Sequence, residues 1–368
     1  MTALPPRPPL EKPKRGRDRS TDPSNDRSND RSRTGLIVAI VALSLPVVLL
    51  AASLFAFAGA GVGAFGTGSA SGDSAGPVSP LTGENFYVDP LSKAASASAA
   101  ALAAGDTAGA QTFGRIAAVP TAIWLTPEQH PTGAITAYVA GVEAAAKAVG
   151  RTPLFTVYGV PNRDCATGQS AGGLSAAEYP AWVAAIAAGL DSDNTVIVLE
   201  PDALALATMC NNVDERVREI SADIDVLGPA HATVYIDAGH SKWGRAADMA
   251  TLLNRAGVNK ARGFATNVSN YNPTSAEQTY AAQISSLTGN AHYVVDTSRN
   301  GNGTTGQWCN PPGRALGAEP SETNVATNQD ANLWVKPPGE SDGTCNGGPA
   351  AGQWWASGAL ALAADAGW

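Results

Sequence analysis

Six apolar runs in the 368-residue sequence finish on carboxylates, amides or bases: VYGVPNRD at Asp164, VLEPD at Asp202, YIDAGH at His240, ATNVSN at Asn270, VVDTSRN at Asn300 and WVKPPGESD at Asp342. A single aspartate after a strand is commonly a helix N-cap, and Asp164 could also pair with its neighbour Arg163. Several strand-end carboxylates together, with Trp124, Trp243 and Trp308 close by in sequence, point instead to one acidic site. An aspartate of unperturbed pKa about 3.9 is ionised at neutral pH. A carboxyl that is to donate a proton therefore needs an apolar setting or a like charge beside it. VIVLEPDALALA provides the apolar setting for Asp202, and Asp164 on the preceding strand provides the like charge. A protonated carboxyl beside an ionised one is what cleavage of a glycosidic bond requires. Indole faces suit the apolar faces of sugar rings, so the three strand-end tryptophans read as sugar platforms, and Trp182, Trp354 and Trp355 as helix-borne core.

The elements that must position these groups alternate β-branched runs with Ala-rich helical periods, the pattern of a parallel α/β architecture. Seven strands are expected: 116–125, 153–160, 195–200, 233–237, 263–268, 293–297 and 333–336. Helices are expected between them, with 211–227 and 244–256 carrying apolar residues at three- and four-residue spacing. Ser175-Ala-Ala-Glu178 and Thr274-Ser-Ala-Glu277 read as capping boxes. In an α/β barrel the loops after the strands share one face, so residues far apart in sequence converge there.

Residues 1–34 are rich in Pro, Arg, Asp and Ser and read as a disordered basic tail. Residues 35–65 carry no charge and are long enough to cross a bilayer, as an anchor or as a cleaved signal segment. Residues 66–83 have the composition of a Gly/Ser/Ala linker, and 84–368 that of a folded catalytic body. The basic flank on the N-terminal side places that body outside the cytoplasm. The net charge of -8 is unevenly placed, basic in the tail and clearly acidic in the body, and an acidic body argues against a nucleic-acid partner. Four cysteines, Cys165, Cys210, Cys309 and Cys345, all follow the apolar segment, where export favours two disulfides and three pairings are open. No Cys or His spacing suggests a metal site.

Gly301-Asn-Gly-Thr-Thr-Gly306 matches a dinucleotide fingerprint, but Gln-Trp-Cys-Asn-Pro-Pro follows it where a helix should open, so no nucleotide cofactor is expected. HExxH is absent from the sequence. A glycosylation sequon stands at Asn267-Val-Ser269.

NFYVDP at 85–90, TAIWL at 121–125, VPNRDCA at 160–166, LEPDALA at 199–205, YIDAGHSKW at 235–243, ATNVSNYN at 265–272, DTSRNGNG at 296–303, QWCNPPGRALG at 307–317 and LWVKPPGESDG at 333–343 together resemble glycoside hydrolase family 6, the cellulases that include endoglucanases and cellobiohydrolases. The resemblance runs from about Glu84 to the C-terminus. It implies a distorted seven-stranded parallel β/α barrel and inverting hydrolysis of β-1,4-glucan without a cofactor. By motif position it implies Asp202 as proton donor, assisted by Asp164, and Asp342 at the place of the proposed base, with water activated directly or through a relay. Asp237 and Tyr158 fall on supporting positions, and Trp124, Ser170, His240, Trp243, Asn270, Trp308, Lys336 and Glu340 on sugar-binding ones. The family's disulfides would join Cys165 to Cys210 and Cys309 to Cys345. Gly159 departs from the pattern, standing where many relatives carry Asp or Asn. The short link from Asp342 to Cys345, where tunnel-forming relatives insert a long loop, implies an open cleft and internal cutting by a monomer. An exo-acting cellobiohydrolase and a glycan-binding protein without catalysis are the alternatives.

Overall fold

The computed structural model describes residues 81, 85–166, 168–191, 195–322 and 328–368. The tail, the apolar segment 35–65 and nearly all of the linker lie outside them. Leu81, inside the stretch read as linker, is buried in the barrel interior. Among the described residues no helix is long and apolar enough to cross a membrane.

Among the described residues eight strands form one sheet: β1 (Ile123–Leu125), β2 (Leu154–Val157), β3 (Thr195–Leu199), β4 (Ala232–Asp237), β5 (Gly263–Thr266), β6 (His292–Asp296), β7 (Ser321–Glu322) and β8 (Gln329–Leu333). Their order is β1-β2-β3-β4-β5-β6-β8-β7, with β1 to β6 and β8 parallel and β7 an antiparallel edge. The helices are α1 (Lys93–Ala103), α2 (Thr107–Ala117), α3 (Thr132–Ala148), α4 (Tyr179–Ala187), α5 (Ala203–Ala207), α6 (Val213–Leu227), α7 (Ala246–Ala256), α8 (Thr274–Leu287) and α9 (Ala356–Asp365). The parallel strands curl into a distorted barrel. At its seam β1 and β8 do not pair as strands, but the Ala122 amide donates to the Trp334 carbonyl at 2.9 Å.

Alternation along the strands sorts two cores. Val196 and Val198 face inward with Leu154, Tyr235, Ala265, Val294, Ala331 and Leu333. Ile197, Leu199, Phe155, Val157, Ile236 and Phe264 face outward against the helices. Below the strand ends Asp330, fully buried, accepts from Arg262 at 2.8 and 2.9 Å and from the Tyr235 hydroxyl at 2.7 Å, and meets His292 Nδ1 at 2.9 Å. This one carboxylate joins β4, β6, β8 and the approach to β5.

Three expectations are corrected. Ile116 belongs to α2, not to the first strand: the Asp106 side chain caps that helix by accepting from Gly109, and Ile116 packs with Phe113. The last parallel strand is Gln329–Leu333, earlier than 333–336, because the Asp296 carboxylate takes the Val335 and Lys336 amides at 3.2 and 3.0 Å in place of ladder carbonyls. Glu277 makes no capping box; with Pro273 at the N-cap of α8, it is buried and accepts from the Ser241 amide at 3.0 Å. Glu178 does accept from the Ser175 hydroxyl at 2.6 Å, although α4 starts only at Tyr179.

Removing one partner of a buried ion pair leaves an uncompensated charge. Arg262→Met should therefore destabilise the protein by about 3 kcal/mol, read as a lower denaturant midpoint in equilibrium unfolding.

Candidate active site

Register sets the first layer of the site. Val157 pairs with Leu199 and Leu199 with Ile236, so one further step brings Tyr158, Glu200 and Asp237 to the same rim. There the chain leaves ordinary geometry. Glu200 and Asp202, on either side of Pro201, have φ 47° and 67°, and Asp164, Cys165 and Ala166 form a left-handed turn at 54°, 52° and 59°. Left-handed backbone is unfavourable by roughly 1–2 kcal/mol for each non-glycine residue, so other contacts must hold these turns. The Cys165–Cys210 disulfide holds one, and Cys309–Cys345 holds the loop after β6 to the loop carrying Asp342; both pairings are the ones the resemblance implied.

Arg163 does not pair with Asp164. Its guanidinium donates to the Tyr158 carbonyl at 2.7 Å, the Ser170 carbonyl at 2.7 Å and Glu128 at 3.0 Å, and lies 4.4 Å above the Tyr158 ring. Asp164 is left to accept the Tyr158 hydroxyl at 3.3 Å and the Ser170 amide at 3.0 Å.

Asp202 presents only its backbone to Asp237: its amide donates to Asp237 Oδ2 at 2.9 Å, as does that of Gly239. Burial pushes the Asp202 carboxyl well above the usual carboxylate range, and the charges of Asp237, Asp164 and Asp342 push the same way against Lys336. Burial also lifts Asp237 to about 7 despite its two amide donors. Asp342 goes the other way. Its burial is outweighed by Arg299 at 2.9 Å, Lys336 at 3.7 Å, the Asn310 amide at 3.0 Å and the Tyr271 hydroxyl at 2.8 Å, and its carboxyl is held below the usual range.

Trp124, Tyr158, Ser170, Lys336 and Glu340 line one cavity of about 570 Å³. Trp124 stands edge-on to Tyr158 at 5.1 Å, its indole donates to the Val335 carbonyl at 2.8 Å, and Lys336 Nζ lies 5.6 Å from its ring. Glu340 pairs with Lys93 at 3.0 Å. Trp354, expected in the core, also lines this cavity, edge-on to Phe113 at 5.3 Å, and Trp355 stands just before α9; of the three tryptophans expected in the core, Trp182 alone is fully buried. His240, Trp243, Asn270 and Trp308 lie outside that cavity. His240 and Trp243 are ring neighbours at 5.3 Å, and Trp243 and Trp308 are exposed. Burial lowers His240 to about 4, and its Nδ1 accepts the Lys242 amide at 3.2 Å, so the neutral ring carries its proton on Nε2. Asn270 turns its amide to the Val268 carbonyl at 2.9 Å. The sequon Asn267 is fully buried and donates to the Asp296 carbonyl at 2.9 Å, which closes it to a glycan.

Sequence reasoning missed the partners of Asp342. Arg299, Tyr271 and Asn310 lie within motifs noted above, but nothing local marks them as facing a carboxylate on another loop. Among the described residues no group of three or more His, Cys, Asp or Glu side chains is placed to hold a metal ion.

The profile of glycosyl hydrolases family 6 matches residues 81–366. The chain belongs to that family. It is 45% identical over 289 residues to endoglucanase A of Cellulomonas fimi, covering 78% of this chain and 63% of that one. To endoglucanase A of Thermobispora bispora it is 44% identical over 303 residues, 79% and 64% of the two chains, so it spans less than two thirds of either relative. Its fold superposes on an endoglucanase from Mycobacterium tuberculosis, solved with a methyl-cellobiosyl-thio-cellobioside, at TM-score 0.74 and 42% identity over 79% of this chain and 100% of that one.

Gly159 has a steric cause within this family member. A Cβ there would stand 2.6 Å from the Trp182 ring. Overpacking of this kind is unfavourable by about 1–3 kcal/mol. Gly159→Asp should lower unfolding free energy by that amount in denaturant titration.

Proposed function

We propose that this protein hydrolyses internal β-1,4-glucosidic bonds of a cellulose-like glucan with inversion. The observation that carries the reading is Asp202: a carboxyl at the rim of the barrel that burial and three neighbouring carboxylates raise well above the usual range. In this reading Asp202 gives its proton to the leaving oxygen, and Asp164, held by Tyr158 and the Ser170 amide, stabilises positive charge on the sugar. Asp237 fixes the turn that carries Asp202. The donors that saturate Asp342 favour activation of water through a relay over direct proton capture by its carboxylate. Trp124, Ser170, Lys336 and Glu340 would hold sugars on one side, and His240, Trp243, Asn270 and Trp308 elsewhere along an open cleft.

The names of the relatives, endoglucanases among them, support the endo mode. A chain-end mode draws on one contact: Gln169 Oε1 accepts from the Thr344 amide at 2.9 Å, joining the loop of Asp164 to that of Asp342. The two disulfides favour an oxidising compartment outside the cytoplasm. With that goes the proposal that residues 35–65 anchor the body to a membrane or are removed on secretion, and that it acts as a monomer.

Viscosity of carboxymethylcellulose should fall well ahead of the appearance of reducing ends; cellobiose as the main early product would instead establish the chain-end mode. The first anomer released from a cello-oligosaccharide, followed by NMR, should be α, and a β-anomer would refute inversion. Asp202→Asn should reduce kcat by roughly a hundred- to ten-thousandfold, the usual value of a general acid.

The pH dependence has a definite sign. Asp237 raises the Asp202 carboxyl, so Asp237→Asn removes a negative neighbour and lowers it. The proton donor is then lost at lower pH, and the alkaline limb of the kcat/KM profile should move to lower pH.

A further inference from the structure

Behind the rim lies a second acid cluster. The hydroxyl of Tyr179, the first residue of α4, is 2.8 Å from Glu200 Oε1 and 2.7 Å from Asp223 Oδ2 of α6, and all three side chains are buried. A phenol has one hydrogen. Two ionised carboxylates at these distances would leave one oxygen pair facing each other with no proton between. Glu200 Oε1 already accepts the Gly159 amide at 2.8 Å, so it is an acceptor. The phenol proton then goes to Glu200, and the second proton must sit on Asp223 and be donated to the tyrosine oxygen.

We propose that Glu200 and Asp223 share one proton through Tyr179 at neutral pH, and that this chain, with Arg216, is a positioning device for the turns that bear Asp164 and Asp202. Glu200 is two residues before Asp202, and its side chain holds Gly159 at the end of β2. Arg216 of α6 donates to the Pro161 carbonyl at 2.7 Å, three residues before Asp164, and to Glu219 at 2.6 Å. The network therefore grips both turns from the helix side of the barrel. The charged groups facing it are Arg216 and Glu219, with Glu215 and Arg218 acting on Glu219 from the same helix. Burial, the largest cause, raises both the Asp223 and Glu200 carboxyls, in keeping with a retained proton.

The positioning claim rests on the glucanase reading; the shared proton does not. At neutral pH the infrared spectrum of the whole protein should contain a protonated-carboxyl carbonyl band that Asp223→Asn diminishes by one group, and an unchanged band would overturn the shared proton. A raised carboxyl stabilises the fold fully below its unfolded value of roughly 3.9 and loses that contribution as pH climbs to its folded value. The decline of Tm from about pH 5 to about pH 8 should accordingly be shallower in Asp223→Asn than in the wild type. Asn can donate to the tyrosine oxygen as the acid does and Ala cannot, so Asp223→Ala should show kcat roughly tenfold below Asp223→Asn, with KM little changed, at temperatures where both are folded. Tyr179→Phe should show the same loss. Wild-type kcat in both Asp223→Ala and Tyr179→Phe would overturn the positioning role, while inactivity of the wild type on glucans would sink the glucanase reading and leave the infrared and Tm results to decide the proton.

Discussion

Asp164, Asp202, Asp237 and Asp342 converge on one end of a parallel barrel, while two buried cations, Arg299 and Lys336, both engage Asp342. Like charges at short range in a poorly solvated place cannot all persist. Asp342 keeps its charge because it alone has the cations. Asp237 has two backbone amides and Asp164 a hydroxyl and an amide, whereas the carboxyl of Asp202 makes no cap bond to the helix that follows it. The arrangement thus selects Asp202 as the group on which a proton remains, by denying it the partners given to the others.

Withholding partners is possible only because the backbone is bent to it. A residue at the start of a helix ordinarily turns its side chain onto the free amides of the first turn. With φ at 67° Asp202 is turned away from them, and Asp237 holds it there from the neighbouring strand. The left-handed turn of Asp164 to Ala166 needs similar restraint and has it from the Cys165–Cys210 bridge and the Arg163 fork. The disulfides therefore serve the geometry of the acid pair as well as the stability of the chain.

The legibility of these features in the sequence follows their physical origin. Strands β2 to β6 were readable because β-branched runs buried on both faces leave a continuous apolar signal. Strand β8 was misplaced because its QDANL sequence is polar, and Asp330 is tolerated there only through Tyr235 and His292 of other strands and Arg262 just before β5. The carboxylates of the site were legible because each ends an apolar run. The donors of Asp342 were not, since Arg299 is an ordinary loop arginine until the barrel brings Asp342 within 2.9 Å. Glu277 misled for the same reason: local spacing suggested a cap, and a tertiary partner, Ser241, took the carboxylate.

Gly159 shows how far the support of the site extends. Its missing side chain is explained by Trp182 of α4, whose ring fills the space a Cβ would need and whose indole donates to the His130 carbonyl at 2.7 Å. Tyr179 and Trp182 are three residues apart and so lie on one face of the helix. One of them meets Glu200, and the other lies against the backbone between Tyr158 and Val160. A polar side chain at 159 would have to displace an indole and would bring water or charge toward the acid pair. The glycine and the tryptophan are complementary halves of one feature, an apolar floor beneath the turn of Asp164. That floor is set by a helix on the outside of the barrel, which carries no residue of the proposed catalytic set.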